Sequence, residues 1–181
     1  AAAVMRERGL ARSTTKEIAR AAGYSEATLY KHFSDKQEIF LCVLKERMPS
    51  FSSPLELVGT GTVRGNIAAI VEQLMQFYVL TFPIAASIFG SPELLATQRD
   101  GMRARNAGPE GPVNAVRVYL DGEVDAGRLP TTIDADALAK LLAGAAMQQA
   151  FLATFNSLDA VPQARSLARA LADAALPADL R

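Results

Sequence analysis

One stretch decides the fold of this chain, and it reads Thr14-Thr15-Lys16-Glu17-Ile18-Ala19-Arg20-Ala21-Ala22-Gly23-Tyr24-Ser25-Glu26-Ala27-Thr28-Leu29-Tyr30-Lys31-His32-Phe33-Ser34-Asp35-Lys36. Thr14 and Glu17 have the spacing of a capping box, in which each side chain bonds to the backbone N–H of the other residue. The box predicts a helix over residues 15–22. Gly23 ends this helix because glycine adopts the left-handed backbone conformation without strain.

A second helix follows after a turn of three residues. Ser25 is a good N-cap, and Leu29 and Phe33 lie four positions apart on one face, so we predict a helix over residues 26–33. Two helices joined by a short turn that contains glycine form the helix-turn-helix arrangement, whose second helix enters the major groove of DNA.

A third helix is predicted over residues 35–48, because Ser34-Asp35-Lys36-Gln37 repeats the box spacing and Pro49 ends the helix. Residues 50–61 are rich in serine, proline and glycine, which indicates a boundary. We therefore predict a head over residues 1–48 and a body over residues 49–181. The opening residues predict a helix that ends at Gly9. Because the sequence opens without Met or a capping residue, we also expect further residues before Ala1.

The second helix has an outward face suited to reading DNA. Small and polar side chains occupy it, with others at its first turn, namely Glu26, Ala27, Thr28, Tyr30 and Lys31. Thr15, Lys16 and Lys36 stand at helix starts, where backbone N–H groups also favour phosphate oxygens. The spacing alone fits equally well a plain α-helical bundle with a polar solvent face.

The charge of the chain is unevenly distributed. The net charge is zero, but residues 1–50 carry nine Lys and Arg against six Asp and Glu, a net charge of +3 that leaves −3 for the remainder. A basic module on an acidic body is typical of a phosphate-binding head.

The composition indicates a soluble globular protein. Half of the residues are hydrophobic, no apolar run reaches the roughly 20 residues of a membrane span, and no leader pattern opens the chain, so we expect a cytoplasmic protein. The body predicts helices over residues 62–82, 84–89, 93–105, 113–126, 132–155 and 162–176, broken by Pro83, Pro92 and a loop at residues 108–112. The predicted fold is all-α, a three-helix head followed by an antiparallel helical body, with about nine helices.

The quoted stretch resembles the N-terminal signature of the tetracycline-repressor (TetR/AcrR) family. The resemblance is dense over about fifty residues and includes the Ile18-Ala19 pair, the Ala22-Gly23 turn, Leu29-Tyr30 with His32-Phe33, and Lys36. Tyr24 stands where the family usually has a small aliphatic residue. Beyond residue 50 the resemblance is only to the family's plan of about six helices.

The resemblance implies a DNA-contacting set and a ligand pocket. The DNA contacts it implies are Thr15, Lys16, Ser25, Glu26, Ala27, Thr28, Tyr30, Lys31, His32 and Lys36. The implied pocket binds a small, mostly apolar effector and is drawn from aromatic, sulfur and amide side chains, namely Met75, Tyr78, Phe82, Phe89, Met102, Tyr119, Met147, Gln148 and Phe151. If the resemblance is set aside, aromatic and sulfur side chains at this helical spacing are more typical of a hydrophobic core than of a pocket.

The helix after Asp134 is apolar on two sides, so we expect it to have two partners. One side carries Leu141, Gly144, Gln148, Phe151 and Phe155, and the other carries Leu138, Leu142, Ala145, Gln149 and Leu152. We assign the second side, with Leu167 and Leu171 of the last helix, to a four-helix interface of a homodimer on a palindromic operator. Burial of both sides within one chain is the alternative.

The sequence gives little evidence for a catalytic site or a metal site. His32 is the only histidine, so one chain holds no histidine pair for zinc and no catalytic triad. Cys42, the single cysteine, is interpreted as packing, and no cofactor motif occurs. We predict a ligand-responsive transcriptional repressor that is not an enzyme. A helical adaptor that binds protein through the same motif is the main alternative, and an enzyme is the third.

Overall fold

A computed structural model describes residues 14–36, 38, 39, 42 and 54–177, and the predicted helix before Gly9 lies outside them. The described residues form helices and loops without any β-strand, which confirms the all-α prediction. The helices are α1 (Thr15–Ala21), α2 (Glu26–His32), α3 (Pro54–Leu57), α4 (Val63–Phe89), α5 (Pro92–Arg103), α6 (Gly111–Asp125), α7 (Ala135–Phe155) and α8 (Ala164–Ala175). The three-helix head and the total of nine helices remain predictions.

The chain divides into two compact units. Unit one contains the described residues before position 48 together with Leu80–Gly108, and unit two contains those of Met48–Val79 with Pro109–Arg181. Residues 80–108, which we predicted to belong to the body, thus pack with the head. Helix α4 contributes residues to both units.

The core of unit one explains this grouping. Ile18, Ala19 and Leu29 from the two motif helices are buried together with Ile84 and Ile88 from the end of α4. A short helix pair cannot bury its apolar side by itself, and each buried aliphatic side chain stabilises the fold by about 1.5–3 kcal/mol. Residues 80–108 therefore supply part of the apolar surface that the motif requires.

The core of unit two is built around the first half of α4. Ile67, Val71, Leu74 and Met75 are fully buried, and α7 faces this core with an alanine-rich side. Small side chains allow two helices to approach closely. The side of α8 that carries Ala168 and Ala172 closes the core.

Helix α4 continues through Pro83, which corrects our prediction that this proline separates two helices. Proline removes one backbone hydrogen bond and costs about 3 kcal/mol inside a helix. The residues on either side, Val79 and Ile84, are both buried. Their burial, with that of Ile88, outweighs the cost of the proline.

One helix, Val63–Phe89, is long and apolar enough to cross a membrane by length and composition. Fully buried side chains such as Ile67 and Leu74 account for its apolar character. We therefore assign α4 to the core of a folded domain, where a helix that is apolar on several sides is expected.

Candidate nucleic-acid interface

The predicted capping box is present at the start of α1. The backbone N–H of Glu17 donates to Oγ1 of Thr14 at 3.1 Å, and the backbone N–H of Thr14 donates to Oε2 of Glu17 at 3.0 Å. At the other end Gly23 has φ of +76°, a conformation that side chains disfavour. The backbone N–H of Tyr24 donates to the carbonyl of Ala19 at 2.9 Å, and this bond closes the turn between the helices.

Helix α2 begins at its predicted cap and ends one residue earlier than predicted. The backbone N–H of Thr28 donates to Oγ of Ser25 at 3.1 Å, and the two hydroxyl oxygens lie 2.8 Å apart. Leu29 is buried in the core of unit one, as predicted for the inward face. The hydroxyls of Ser25 and Thr28 are therefore engaged within the motif. The Ser25 hydroxyl caps the start of α2, and the two hydroxyls bond to each other.

The opposite side of α2 faces solvent. Ala27, Lys31 and His32 are exposed, and half of the surface of Tyr30 is accessible. Lys16, at the start of α1, is exposed as well. The predicted reading surface is therefore accessible, and it presents two exposed lysines, Lys16 and Lys31.

Three of the predicted contact residues form one hydrogen-bonded group. Oη of Tyr30 donates to Oγ1 of Thr15 at 3.3 Å, and Oγ1 of Thr15 donates to Oε1 of Glu26. Thr15 and Glu26 are the first residues of α1 and α2. The group therefore connects the starts of the two motif helices. It also uses the Thr15 proton that we had expected to meet a phosphate.

The start of the following helix is shifted by one residue from the predicted box. Oδ1 of Asp35 accepts from the backbone N–H of Glu38 at 2.7 Å, so Asp35 caps it in place of Ser34. The Glu38 carboxylate in turn accepts from the N–H and hydroxyl of Ser34, and these bonds lower the pKa of Glu38. An ionised carboxylate is a stronger acceptor than a hydroxyl, which explains the shift.

Lys36 lies beside this cap and is partly buried. Burial lowers the pKa of its ammonium group, while the nearby carboxylate of Glu17 raises it. Sequence reasoning missed Arg105, whose guanidinium NH2 lies 2.7 Å from Oδ2 of Asp35. No local pattern predicts a contact between residues that are 70 positions apart.

The predicted pocket residues are divided between the two units. Phe82, Phe89 and Met102 belong to unit one, and the remaining six belong to unit two. Met75 and Tyr119 are fully buried, whereas Phe89, Met147 and Phe151 have 71%, 48% and 45% of their surface exposed. In Tyr119, burial and then the Glu123 carboxylate raise the pKa.

Gln98, on α5, is a buried polar residue that sequence reasoning missed. It is 4% exposed, and within residues 14–36, 38, 39, 42 and 54–177 neither of its side-chain amide atoms has a hydrogen-bond partner. An unpartnered buried amide costs about 1–3 kcal/mol. The regular apolar pattern of a helix does not reveal such a residue.

Part of the predicted dimer interface is covered within the chain, while Leu152 on the same side of α7 is 39% exposed. Leu138 and Leu142 are buried in the core of unit two, and Leu167 and Leu171 of α8 pack against the same core. The other side of α7 carries large exposed side chains, including Leu141 at 70% and Phe155 at 76%. Because both sides are apolar, periodicity alone did not distinguish the inward side from the outward one.

Within the described part of the chain no three His, Cys, Asp or Glu side chains group together as metal ligands would. One charged pair of unit two joins two of its elements. Glu123, fully buried, pairs with Arg128 at 3.2 Å, and Arg128 also donates to the carbonyls of Thr60 and Gly61. This pair holds the turn before α4 on the end of α6.

Comparison with known proteins agrees with this architecture. Residues 1–43 match the family model described as "Bacterial regulatory proteins, tetR family". The chain is 23% identical over 133 residues to a fatty acid metabolism regulator protein of Bacillus subtilis, an overlap that covers 72% of this chain and 68% of that protein.

Two solved structures share the fold. The transcriptional regulator FadR of Bacillus subtilis, in complex with stearoyl-CoA, superimposes with a TM-score of 0.66 at 17% identity, covering 96% of this chain and 92% of that one. A TetR-family regulator of Mesorhizobium loti gives 0.68 at 19% identity, covering 96% and 88%.

A capped helix pair with a glycine turn, an exposed second helix and an all-helical remainder define a helix-turn-helix DNA-binding protein. The family match falls on that motif, and the shared fold extends over the rest of the chain. Residues 1–43 thus carry the DNA-binding motif described for bacterial regulatory proteins of the tetR family, and 96% of the chain shares the fold of a TetR-family regulator.

Proposed function

We propose that this chain is a cytoplasmic, homodimeric repressor that binds a palindromic operator through residues 1–48 and leaves it when residues 49–181 bind a small, mostly apolar effector. The observation that carries the proposal is the exposure of Ala27, Tyr30, Lys31 and His32 on the outer side of α2, while Leu29 anchors its inner side. A recognition helix needs this combination of a rigid base and an accessible face.

Operator binding is tested by selecting sites from random duplex DNA and measuring affinity on the selected site. A single recognition helix contacts too few base pairs for specificity, so the selected site should be an inverted repeat. Lys31→Glu should abolish binding at moderate salt, whereas Arg169→Glu, at an exposed position of α8, should leave it unchanged. A selected site without two-fold symmetry would contradict the dimeric arrangement.

The exposed side of α7 supports a second copy of the chain as its partner. Leu141, Phe151 and Phe155 recur at helical spacing on that side, and the Phe151 and Phe155 rings pack 6.1 Å apart. A contiguous apolar stripe of this kind is typical of a subunit interface. Its position on one helix suits an isologous two-fold contact, which two operator half-sites require.

Sedimentation of two matched variants tests this interface. Phe155→Glu should yield monomers, because a charge would be buried without a partner. Phe89→Glu makes the same chemical change at a residue of similar exposure in unit one and should leave the dimer intact. A dimeric Phe155→Glu protein would remove α7 from the interface.

The relatives support a long-chain acyl thioester as the effector. One is a fatty acid metabolism regulator, and one of the solved structures holds stearoyl-CoA. The residues proposed to bind this ligand are the predicted pocket residues that belong to unit one, namely Phe82, Phe89 and Met102, together with Gln98 as a polar group. A largely apolar pocket with few polar groups suits an acyl chain.

An effector acts only through a difference in its affinity for the two states of the repressor. Recognition helices must stand about 34–36 Å apart to meet successive major grooves, so a state with another spacing releases DNA. Stearoyl-CoA should therefore weaken operator binding by roughly 5- to 150-fold. Free coenzyme A is the matched control, and equal effects of both would exclude recognition of the acyl chain.

A further inference from the structure

The hydrogen-bonded group of Tyr30, Thr15 and Glu26 holds a carboxylate at the front of the recognition helix. Oη of Tyr30 donates to Oγ1 of Thr15 at 3.3 Å, and the Thr15 hydroxyl donates a hydrogen bond to Oε1 of Glu26. Glu26 and Tyr30, both on α2, are 11 and 15 positions away from Thr15 on α1. The position of Glu26 is therefore set by tertiary structure.

A carboxylate at this point requires an explanation, because DNA brings phosphates toward the same surface. An acidic residue in the first turn of a helix gains from the helix dipole. That gain accounts for an acidic residue but not for its bond to the start of α1. A negative charge here also opposes non-specific attraction to the DNA backbone, which is the main source of non-specific affinity.

The geometry leaves one oxygen of Glu26 for recognition. Oε1 accepts from Thr15, and in the described part of the chain no hydrogen bond reaches Oε2. A carboxylate oxygen only accepts hydrogen bonds. In the major groove guanine presents two acceptors, thymine an acceptor and a methyl group, and adenine an acceptor beside its amino group. Cytosine alone presents a donor, the amino group on N4, without an acceptor.

We propose that Glu26 reads a cytosine in each operator half-site by accepting a hydrogen bond from N4, with Thr15 and Tyr30 as positioning residues. This inference rests on the proposed operator binding. The N-terminal residues of a recognition helix contact base edges, and Glu26 is the first residue of α2. Thr15 thus holds Glu26 and does not act chiefly as a phosphate contact.

Selection from random duplex DNA by the wild type and by Glu26→Gln tests the proposal. The wild type should select cytosine at one position of each half-site, with a preference of roughly 5- to 150-fold over other bases. In Glu26→Gln the preference at that position alone should shift toward adenine, because an amide pairs with N6 and N7 of that base. Binding to non-specific DNA should become tighter, since one negative charge is removed.

Two further variants separate recognition from a purely structural role. Thr15→Val keeps the shape of the side chain but removes the hydroxyl, so it should weaken the cytosine preference without replacing it by another. Glu93→Gln makes the same acid-to-amide change in the first turn of α5 and should leave every preference unchanged. Thermal unfolding of each variant verifies that the fold is retained.

The outcomes also distinguish this inference from the proposed function. If the wild type selects no sequence at all, operator binding fails. If it selects a site, but Glu26→Gln selects the same site with the same preferences, only the role of Glu26 is overturned. A uniform loss of affinity in Glu26→Gln, without a change at one position, likewise assigns Glu26 to structure and overturns base reading.

Discussion

Arg105 and Asp35 form an ion pair, with NH2 of the guanidinium 2.7 Å from Oδ2 of the carboxylate. The other carboxylate oxygen of Asp35 caps the helix that contains Lys36. One aspartate thus joins the turn after α5 to the helix start that directly follows the recognition helix. Both partners belong to unit one, and both side chains are partly exposed.

The ion pair should contribute modestly to stability and more clearly to DNA binding. Exposed pairs are worth about 0.2–1 kcal/mol, so Arg105→Ala should lower the free energy of unfolding by less than about 1 kcal/mol. Operator affinity should also fall, because the capped helix start loses one of its anchors. Chemical denaturation of Arg105→Ala, Asp35→Asn and the double variant measures the coupling, and Arg103→Ala is the control. Strictly additive effects would show that the pair is not coupled.

Lys36 is expected to contact a phosphate. Replacement by alanine should weaken binding to all DNA sequences alike and reduce the salt dependence, the slope of log K against log [salt], by about one unit. Affinity measured at several salt concentrations gives the slope. Arg169→Ala removes an equal charge from an exposed position of α8 and should not alter it. An unchanged slope for Lys36→Ala would place this lysine away from the DNA backbone.

Gln98 should show opposite effects on stability and on ligand binding. Gln98→Leu removes a buried amide without hydrogen-bond partners among the described residues, so the ligand-free protein should gain about 1 kcal/mol in its free energy of unfolding. Calorimetric affinity for stearoyl-CoA should fall if the amide binds the effector. Gln76→Leu, at an exposed position of α4, should change neither quantity. Unaltered affinity together with higher stability would assign Gln98 to packing.

Tyr78 should make stability depend on pH in the alkaline range. Burial raises the pKa of its phenol to about 12, whereas the unfolded chain ionises near pH 10. The unfolded state therefore loses its proton first, so stability is retained below about pH 10 and falls as the pH rises toward 12. Denaturation across this range should show a shallower fall for Tyr78→Phe. Tyr24→Phe, at an exposed residue, should match the wild type.

The sequence by itself determined the local features of this protein. The capping box of Thr14 and Glu17, the N-cap at Ser25 and the turn at Gly23 each depend on atoms within about four residues of one another. Local steric and hydrogen-bonding preferences are sufficient for such features. The all-helical class and the reading surface on α2 could be predicted for the same reason.

Only the tertiary structure decided which apolar surfaces are covered and which distant charges meet. Leu138 and Leu141 are equally apolar, yet the first is buried and the second is 70% exposed. Helix α4 continues through Pro83 because residues on both sides of it are buried. The bonds from Thr15 to Glu26 and from Arg105 to Asp35 likewise depend on packing. Periodicity reports that a face is apolar, but the identity of its partner is a property of the whole chain in space.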